Sequence, residues 1–209
     1  MRTVAILSQK GGTGKTTLAL HLALSAETAG HRTVVIDLDP QASAAAWKDS
    51  RPGDTPVVVP VPAARLPQAL HAAQEGGADL VVIDTAPHAS EVALAAAEAA
   101  HLVLIPCRAG ILDIRAIGRT ARVVKLAGKA AYVVLNAVPP HASHVLADAR
   151  AAVALHELAV APMALRQRAA YAHALTAGQT AQEYEPHGKA AEEIATLYQW
   201  LQRALQGNP

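Results

Sequence analysis

The chain has 209 residues, 52% of them hydrophobic and 17% charged, a balance that excludes a disordered segment and allows a sizeable core. A formal net charge of +1 excludes a polybasic tail, though not a local basic patch. Cys107 is the only cysteine, which excludes an intrachain disulfide or a multi-cysteine metal site and points to a reducing cytoplasm.

In chain order, continuous apolar runs recur at residues 4–7, 34–36, 80–83, 102–105 and 132–135. The first is too short for a secretory signal, and none approaches the roughly 20 apolar residues of a membrane span. Continuous β-branched runs are how strands covered on both faces read. Helical stretches at 15–28, 63–74, 90–99 and 111–126 alternate with them. The expected class is therefore α/β, with a mostly parallel central sheet flanked by helices on both faces and one domain over residues 1–209. Phe is absent, so the core must be built from Val, Leu, Ile and Ala.

Residues 51–62 read as a surface excursion around a possible short strand at 57–59, and 137–143, with Pro139-Pro140, as a loop. In residues 189–205, Ile194, Leu197, Tyr198, Leu201 and Leu205 share one helical face, which predicts a docked C-terminal helix.

The first strand leads into Ser8-Gln9-Lys10-Gly11-Gly12-Thr13-Gly14-Lys15-Thr16-Thr17, where a helix begins. Glycines let backbone N–H groups turn inward around an anion, and the helix N-terminus adds positive dipole. Lys15 supplies a charge for the terminal phosphates of a nucleotide, and the Thr16 hydroxyl a ligand for Mg²⁺. The usual phosphate-loop spacing asks for glycine where Gln9 stands, and a second lysine, Lys10, opens the loop. Strand, loop and helix follow in the order that binding of ATP with Mg²⁺ requires.

Lys10-Gly11-Gly12-Thr13-Gly14-Lys15-Thr16-Thr17 resembles the deviant Walker A motif of the ParA/MinD family. The resemblance extends to the stretches 35–41 and 82–87 and, more loosely, to the C-terminal third. It implies that Gly11, Gly12, Thr13, Gly14, Lys15, Thr16 and Thr17 bind ATP. It also implies that Lys10 is the signature lysine, reaching across a homodimer to the partner's nucleotide.

Asp37, Asp39 and Asp84 sit at or just past strand ends, where the ligand crevice of a parallel sheet lies. By the resemblance, Asp39 positions the attacking water, Asp37 supports the Mg²⁺ shell with Thr16, and Asp84 is the Walker B aspartate. Each could instead cap the turn that follows its strand. Asn136 falls where the family contacts the base, and equally suits a loop cap. Pro106 followed by Asp113 resembles the stretch after the family's fifth strand, but Arg108, Ala109 and Gly110 replace its second proline.

Residues 114–147 contain no Asp or Glu, while Arg115, Arg119, Arg122 and Lys129 are spaced by four, three and seven, although Gly128 suggests that the helix stops before Lys129. Such a stripe can track a phosphate backbone or simply face solvent. Arg166 and Arg168 resemble the Arg-containing C-terminal segment in which the family's DNA contacts are found. His141 and His144 lie three apart, with no ligand set to make a metal site.

The resemblance implies an ATP-dependent homodimer that binds DNA nonspecifically and partitions DNA or positions cytoplasmic cargo, with hydrolysis stimulated by a ParB-like or adaptor protein. Nucleoid association in the cytoplasm, away from the membrane, goes with it. Only nine residues precede Lys10, as in short ParA proteins without an N-terminal helix-turn-helix. A MinD-like membrane ATPase would require a basic amphipathic terminal helix, whereas Glu192 and Glu193 make the polar face of this one partly acidic. Metallocluster carriers need paired cysteines, and amide-ligase relatives lack a lysine equivalent to Lys10.

Overall fold

The computed structural model describes residues 1–140 and 143–207. Its strands are β1 (Arg2–Ile6), β2 (Thr33–Asp37), β3 (Val57–Pro60), β4 (Leu80–Asp84), β5 (Leu102–Arg108), β6 (Ala131–Asn136) and β7 (Ala159–Val160). They form one sheet of order β3-β2-β4-β1-β5-β6-β7 in which every pairing is parallel. The helices are α1 (Lys15–Thr28), α2 (Ser43–Asp49), α3 (Leu66–Glu75), α4 (Ser90–Ala99), α5 (Ile111–Ala127), α6 (Ser143–Ala154), α7 (Ala169–Thr176), α8 (Ala181–Tyr184) and α9 (Lys189–Leu205).

Alternation along each strand divides the core into two layers. Ala5, Ile36, Val81, Ile83, Val103, Ile105, Val133 and Leu135 face one side, where α3, α4, α5 and α6 supply Leu66, Ala96, Ile117 and Val153. Val4, Ile6, Val35, Val82, Leu104 and Val134 face the other, where α1 and α9 supply Leu18, Leu22, Ile194, Leu197 and Leu201. Each fully buried aliphatic side chain contributes about 1.5–3 kcal/mol. The sheet is thus covered on both faces, as its continuous apolar strands require.

α1 is rich in Ala and Leu, and residues 18–26 are buried all round because the helix is sandwiched between the sheet and α9. It ends at Gly30, whose φ of 85° lets the His31 N–H reach back to the Ala26 carbonyl (2.9 Å). Trp200 of α9 is buried and meets Tyr132 edge-to-face at 4.9 Å, so the apolar face of the terminal helix is turned to the sheet.

One expectation needs correction. The 51–62 stretch is more than a surface excursion, since β3 within it extends the sheet by pairing with β2. As Gly128 suggested, Lys129 does not continue the α5 stripe: Gly128, at φ 64°, ends the helix, and the Lys129 ammonium donates to the Ala100 carbonyl (2.8 Å). Of the histidine pair, His141 lies outside the described residues.

His21 joins α1 to α8 in the interior. Its Nδ1 lies 2.7 Å from the Thr17 carbonyl, and its Nε2 accepts the Ala181 N–H at 3.0 Å. A carbonyl only accepts and an amide only donates, so the ring must be neutral with its proton on Nδ1. Burial pushes its pKa down to about 4. The unfolded chain takes up this proton near pH 6.5 and the folded chain only near pH 4. The His21 contribution is therefore constant above pH 6.5 and is lost as pH falls from 6.5 towards 4, by about 3 kcal/mol. Urea unfolding of wild type and His21→Gln at pH 7.5 and 4.5 measures this. The stability advantage of wild type should shrink by about that amount at low pH, and a pH-independent difference would contradict the assignment.

Candidate nucleotide-binding site

Parallel register sets the site. Ile6 and Asp37 both lie level with Asp84 on its neighbouring strands, so the loop after β1 emerges beside two strand-end carboxylates. Within the loop, Gly12 (φ 71°) and Gly14 (φ 93°) take the left-handed conformation that side chains resist. At Gly14 a Cβ would also collide with the Asn136 amide. Asn136 donates from Nδ2 to the Thr13 carbonyl (2.7 Å) and accepts the Ala137 N–H (2.8 Å). It therefore ties β6 to the loop, a capping contact the sequence allowed, and it also lines one of the two cavities beside the loop.

Gly11, Gly12, Gly14, Lys15, Thr16, Thr17 and Asp39 line a cavity of about 630 Å³. A second cavity of about 320 Å³ shares Gly12, Gly14 and Thr17 and is walled by Asn136, Leu165, Tyr171 and Leu175. The first is the more polar of the two and is bordered by the phosphate loop, suited to phosphates; the second is the more apolar, suited to a base.

Lys15 is buried, and burial pulls its pKa down against the opposing charges of Asp84 and Asp39. The Thr16 hydroxyl donates to Asp84 Oδ2 at 2.6 Å. The other oxygen, Asp84 Oδ1, is buried without a hydrogen-bond partner. Burial raises the Asp84 pKa to about 7; the Thr16 hydrogen bond opposes this and Asp37 adds to it. A desolvated carboxylate with an unused oxygen beside a threonine hydroxyl has the donor set of a Mg²⁺ site that keeps several waters. Thr16 would hold the ion directly and Asp84 from beside it. Once bound, the ion would neutralise phosphate charge and reverse the rise in the Asp84 pKa.

Asp37 sits differently from the expectation that it supports the metal shell. Its Oδ1 accepts the Asp39 N–H (3.0 Å), and its Oδ2 the N–H groups of Ala44 (3.0 Å) and Ala45 (3.4 Å). It caps α2 and fixes the backbone of Asp39. Asp39 is half-buried, accepts the Gln41 N–H (2.9 Å), and faces the phosphate cavity.

Lys10 points out of that cavity. Its ammonium pairs with Asp113 Oδ1 at 2.7 Å, and its side chain is 40% exposed. Cys107 nearby is buried, and its thiol is pushed up to about 12 by burial, which leaves it inert.

The two arginine clusters differ sharply. Arg115, Arg119 and Arg122 are exposed on α5. Arg168 donates from Nε (3.0 Å) and Nη2 (2.6 Å) to Glu193 Oε1, and Arg166 donates from Nη1 to the Pro139 carbonyl (3.0 Å). Sequence reasoning missed Glu193, which looked like part of a solvated face. It is turned inward, its side chain 12% exposed, and accepts from Arg168, the Arg166 N–H and the Tyr171 hydroxyl, so it anchors one wall of the base cavity. Arg51 was also missed. It grips Glu183 bidentately (2.8 and 2.7 Å) while Trp47 Nε1 donates to the Gln179 carbonyl, clamping α2 to the α7–α8 turn. The sequence Thr180-Ala-Gln-Glu183, a capping box, was a legible signal for α8.

A glycine loop between strand and helix, a buried lysine aimed at an anion cavity and a strand-end aspartate on a threonine hydroxyl define a P-loop nucleotide-binding domain. The chain belongs to the CobQ/CobB/MinD/ParA nucleotide binding domain family, whose pattern it matches over residues 4–181. It is 33% identical to the Maintenance of carboxysome distribution protein A of Gloeobacter kilaueensis over 202 residues, 95% of this chain and 85% of that protein. The septum site-determining protein MinD of Pyrococcus horikoshii, complexed with Mg-ADP, shares the fold with a TM-score of 0.77 over 100% of this chain and 98% of that one, at 18% identity. Cobyrinic acid a,c-diamide synthase of Mycobacterium smegmatis, with bound ADP and magnesium, does so with a TM-score of 0.78 over 100% and 97%, at 20% identity. The fold alone therefore does not choose between a positioning ATPase and an amide synthase.

Proposed function

We propose that this chain is a Mg²⁺-dependent ATPase switch of the ParA kind, one domain across residues 1–209. ATP binding favours a homodimer, the dimer binds DNA nonspecifically on the nucleoid, and an adaptor protein stimulates the hydrolysis that releases it. The observation that carries this reading is the placement of Lys10. A lysine at the mouth of a phosphate loop, half-exposed and turned away from its own phosphate cavity, can turn to a neighbouring subunit's nucleotide once it releases Asp113. The near full-length likeness to a carboxysome distribution protein favours a large cytoplasmic particle as cargo over a plasmid.

Within the site, the loop amides and Lys15 hold the phosphates while Asp39, oriented through Asp37, holds the attacking water. Phosphoryl transfer needs such positioning and charge neutralisation more than covalent chemistry. A membrane-bound reading is disfavoured because Trp200 and the apolar face of α9 are buried.

DNA binding measured with ADP and with a nonhydrolysable ATP analogue, across a salt series, tests the proposal. Binding should require the ATP analogue and weaken steeply with salt. Equal binding in both nucleotides, or none in either, would contradict it.

A further inference from the structure

A groove of about 380 Å³ runs between the phosphate loop and α5, lined by Gln9, Lys10, His88, Arg115, Arg119 and Arg122. Among the described residues no carboxylate lines it, though Asp113 holds the Lys10 ammonium, and His88 is its one aromatic side chain. α5 remains helical from Ile111 to Ala127, so the spacing of four and three places the arginines on one face along about 10 Å of axis.

We infer that the α5 wall of this groove is where a nucleic-acid backbone docks, its phosphates held by Arg115, Arg119 and Arg122 and not by Lys10, which the switch reading commits to the partner's nucleotide. The inference rests on the DNA-binding reading above and selects between its two arginine clusters. Among the described residues, none of the three α5 arginines is ion-paired; the one side-chain hydrogen bond they make is from Arg122 Nε to the Gly118 carbonyl of its own helix. Arg168, in contrast, holds a carboxylate that would have to be left unpaired before it could take a phosphate, and Arg166 is engaged by a carbonyl. Contact to the phosphates alone carries no sequence information.

The test is fluorescence anisotropy with a labelled random-sequence duplex of ~24 base pairs, a length that spans roughly two turns at about 10.5 base pairs each. The full chain is saturated with a nonhydrolysable ATP analogue at 50–200 mM salt, a range over which phosphate binding is sensitive to ionic strength. Analogue binding is measured alongside to confirm that each variant is folded. The combined Arg115→Gln, Arg119→Gln and Arg122→Gln variant should lose at least about tenfold in affinity, with a salt slope shallower by about 2.7, or about 0.9 for each phosphate left without its arginine. Arg166→Gln should stay within about twofold. Unchanged affinity in the α5 variant, or a loss carried by Arg166→Gln, would overturn the groove while leaving the switch reading intact. Wild type that binds no duplex in any nucleotide state would overturn both.

Discussion

Lys15→Ala should weaken ATP binding by at least about 100-fold, equivalent to about 3 kcal/mol, while the fold persists. Lys15 is buried between the loop and two carboxylates, Asp84 and Asp39, that oppose the cost of its burial. Without the ammonium, the cavity keeps its amides but loses its one buried positive charge, and the negative ends of Asp39 and Asp84 then repel the incoming phosphates. Removing Lys15 also removes a charge that holds the Asp84 pKa down, so the remaining site becomes less able to stay ionised for a cation. Titration of a fluorescent ATP analogue, with circular dichroism as the control for folding, measures the effect. Affinity within a few-fold of wild type would remove Lys15 from the site.

Asp39→Ala should separate binding from turnover. Asp39 lines the phosphate cavity, and its side chain accepts the Gln41 N–H within its own turn, not a donor of the phosphate loop. Nucleotide affinity should therefore change little, and loss of a neighbouring negative charge should if anything improve it. Hydrolysis should fall by about 100-fold or more, the usual contribution of a positioned acid–base group. Single-turnover hydrolysis measured beside equilibrium binding separates the two. A variant that turns over as wild type does would place the water-holding group elsewhere. Asp37→Ala offers a contrast, since Asp37 caps α2: its loss should lower stability by about 1 kcal/mol along with turnover.

Much of this site was legible because its chemistry is local. The glycines at 12 and 14, the lysine that opens α1, and the aspartate ending β4 are fixed by loop conformation and strand register. A linear motif records both. The central strands were legible for a similar reason: burial on both faces demands unbroken β-branched runs. What escaped the sequence depends on partners far along the chain. β7 has only two residues and exists because β6 offers it an edge. α2 begins where Asp37 caps it and is held by a clamp to residues more than a hundred positions away. Glu193 escaped because helical periodicity cannot tell a solvated carboxylate from one turned inward onto an arginine. That same pairing takes Arg168 out of the pool of free cations, a fact no spacing of basic residues could reveal.

The central claim is that a nucleotide's phosphates lie among the amides of Gly11–Thr16 with a magnesium ion beside Thr16 and Asp84. A crystal structure with Mg²⁺ and a nonhydrolysable ATP analogue tests it most directly. The account predicts phosphate oxygens within hydrogen-bonding distance of those amides and of the Lys15 ammonium, with the metal on the Thr16 hydroxyl. A nucleotide bound elsewhere, or a metal remote from Thr16 and Asp84, would contradict it.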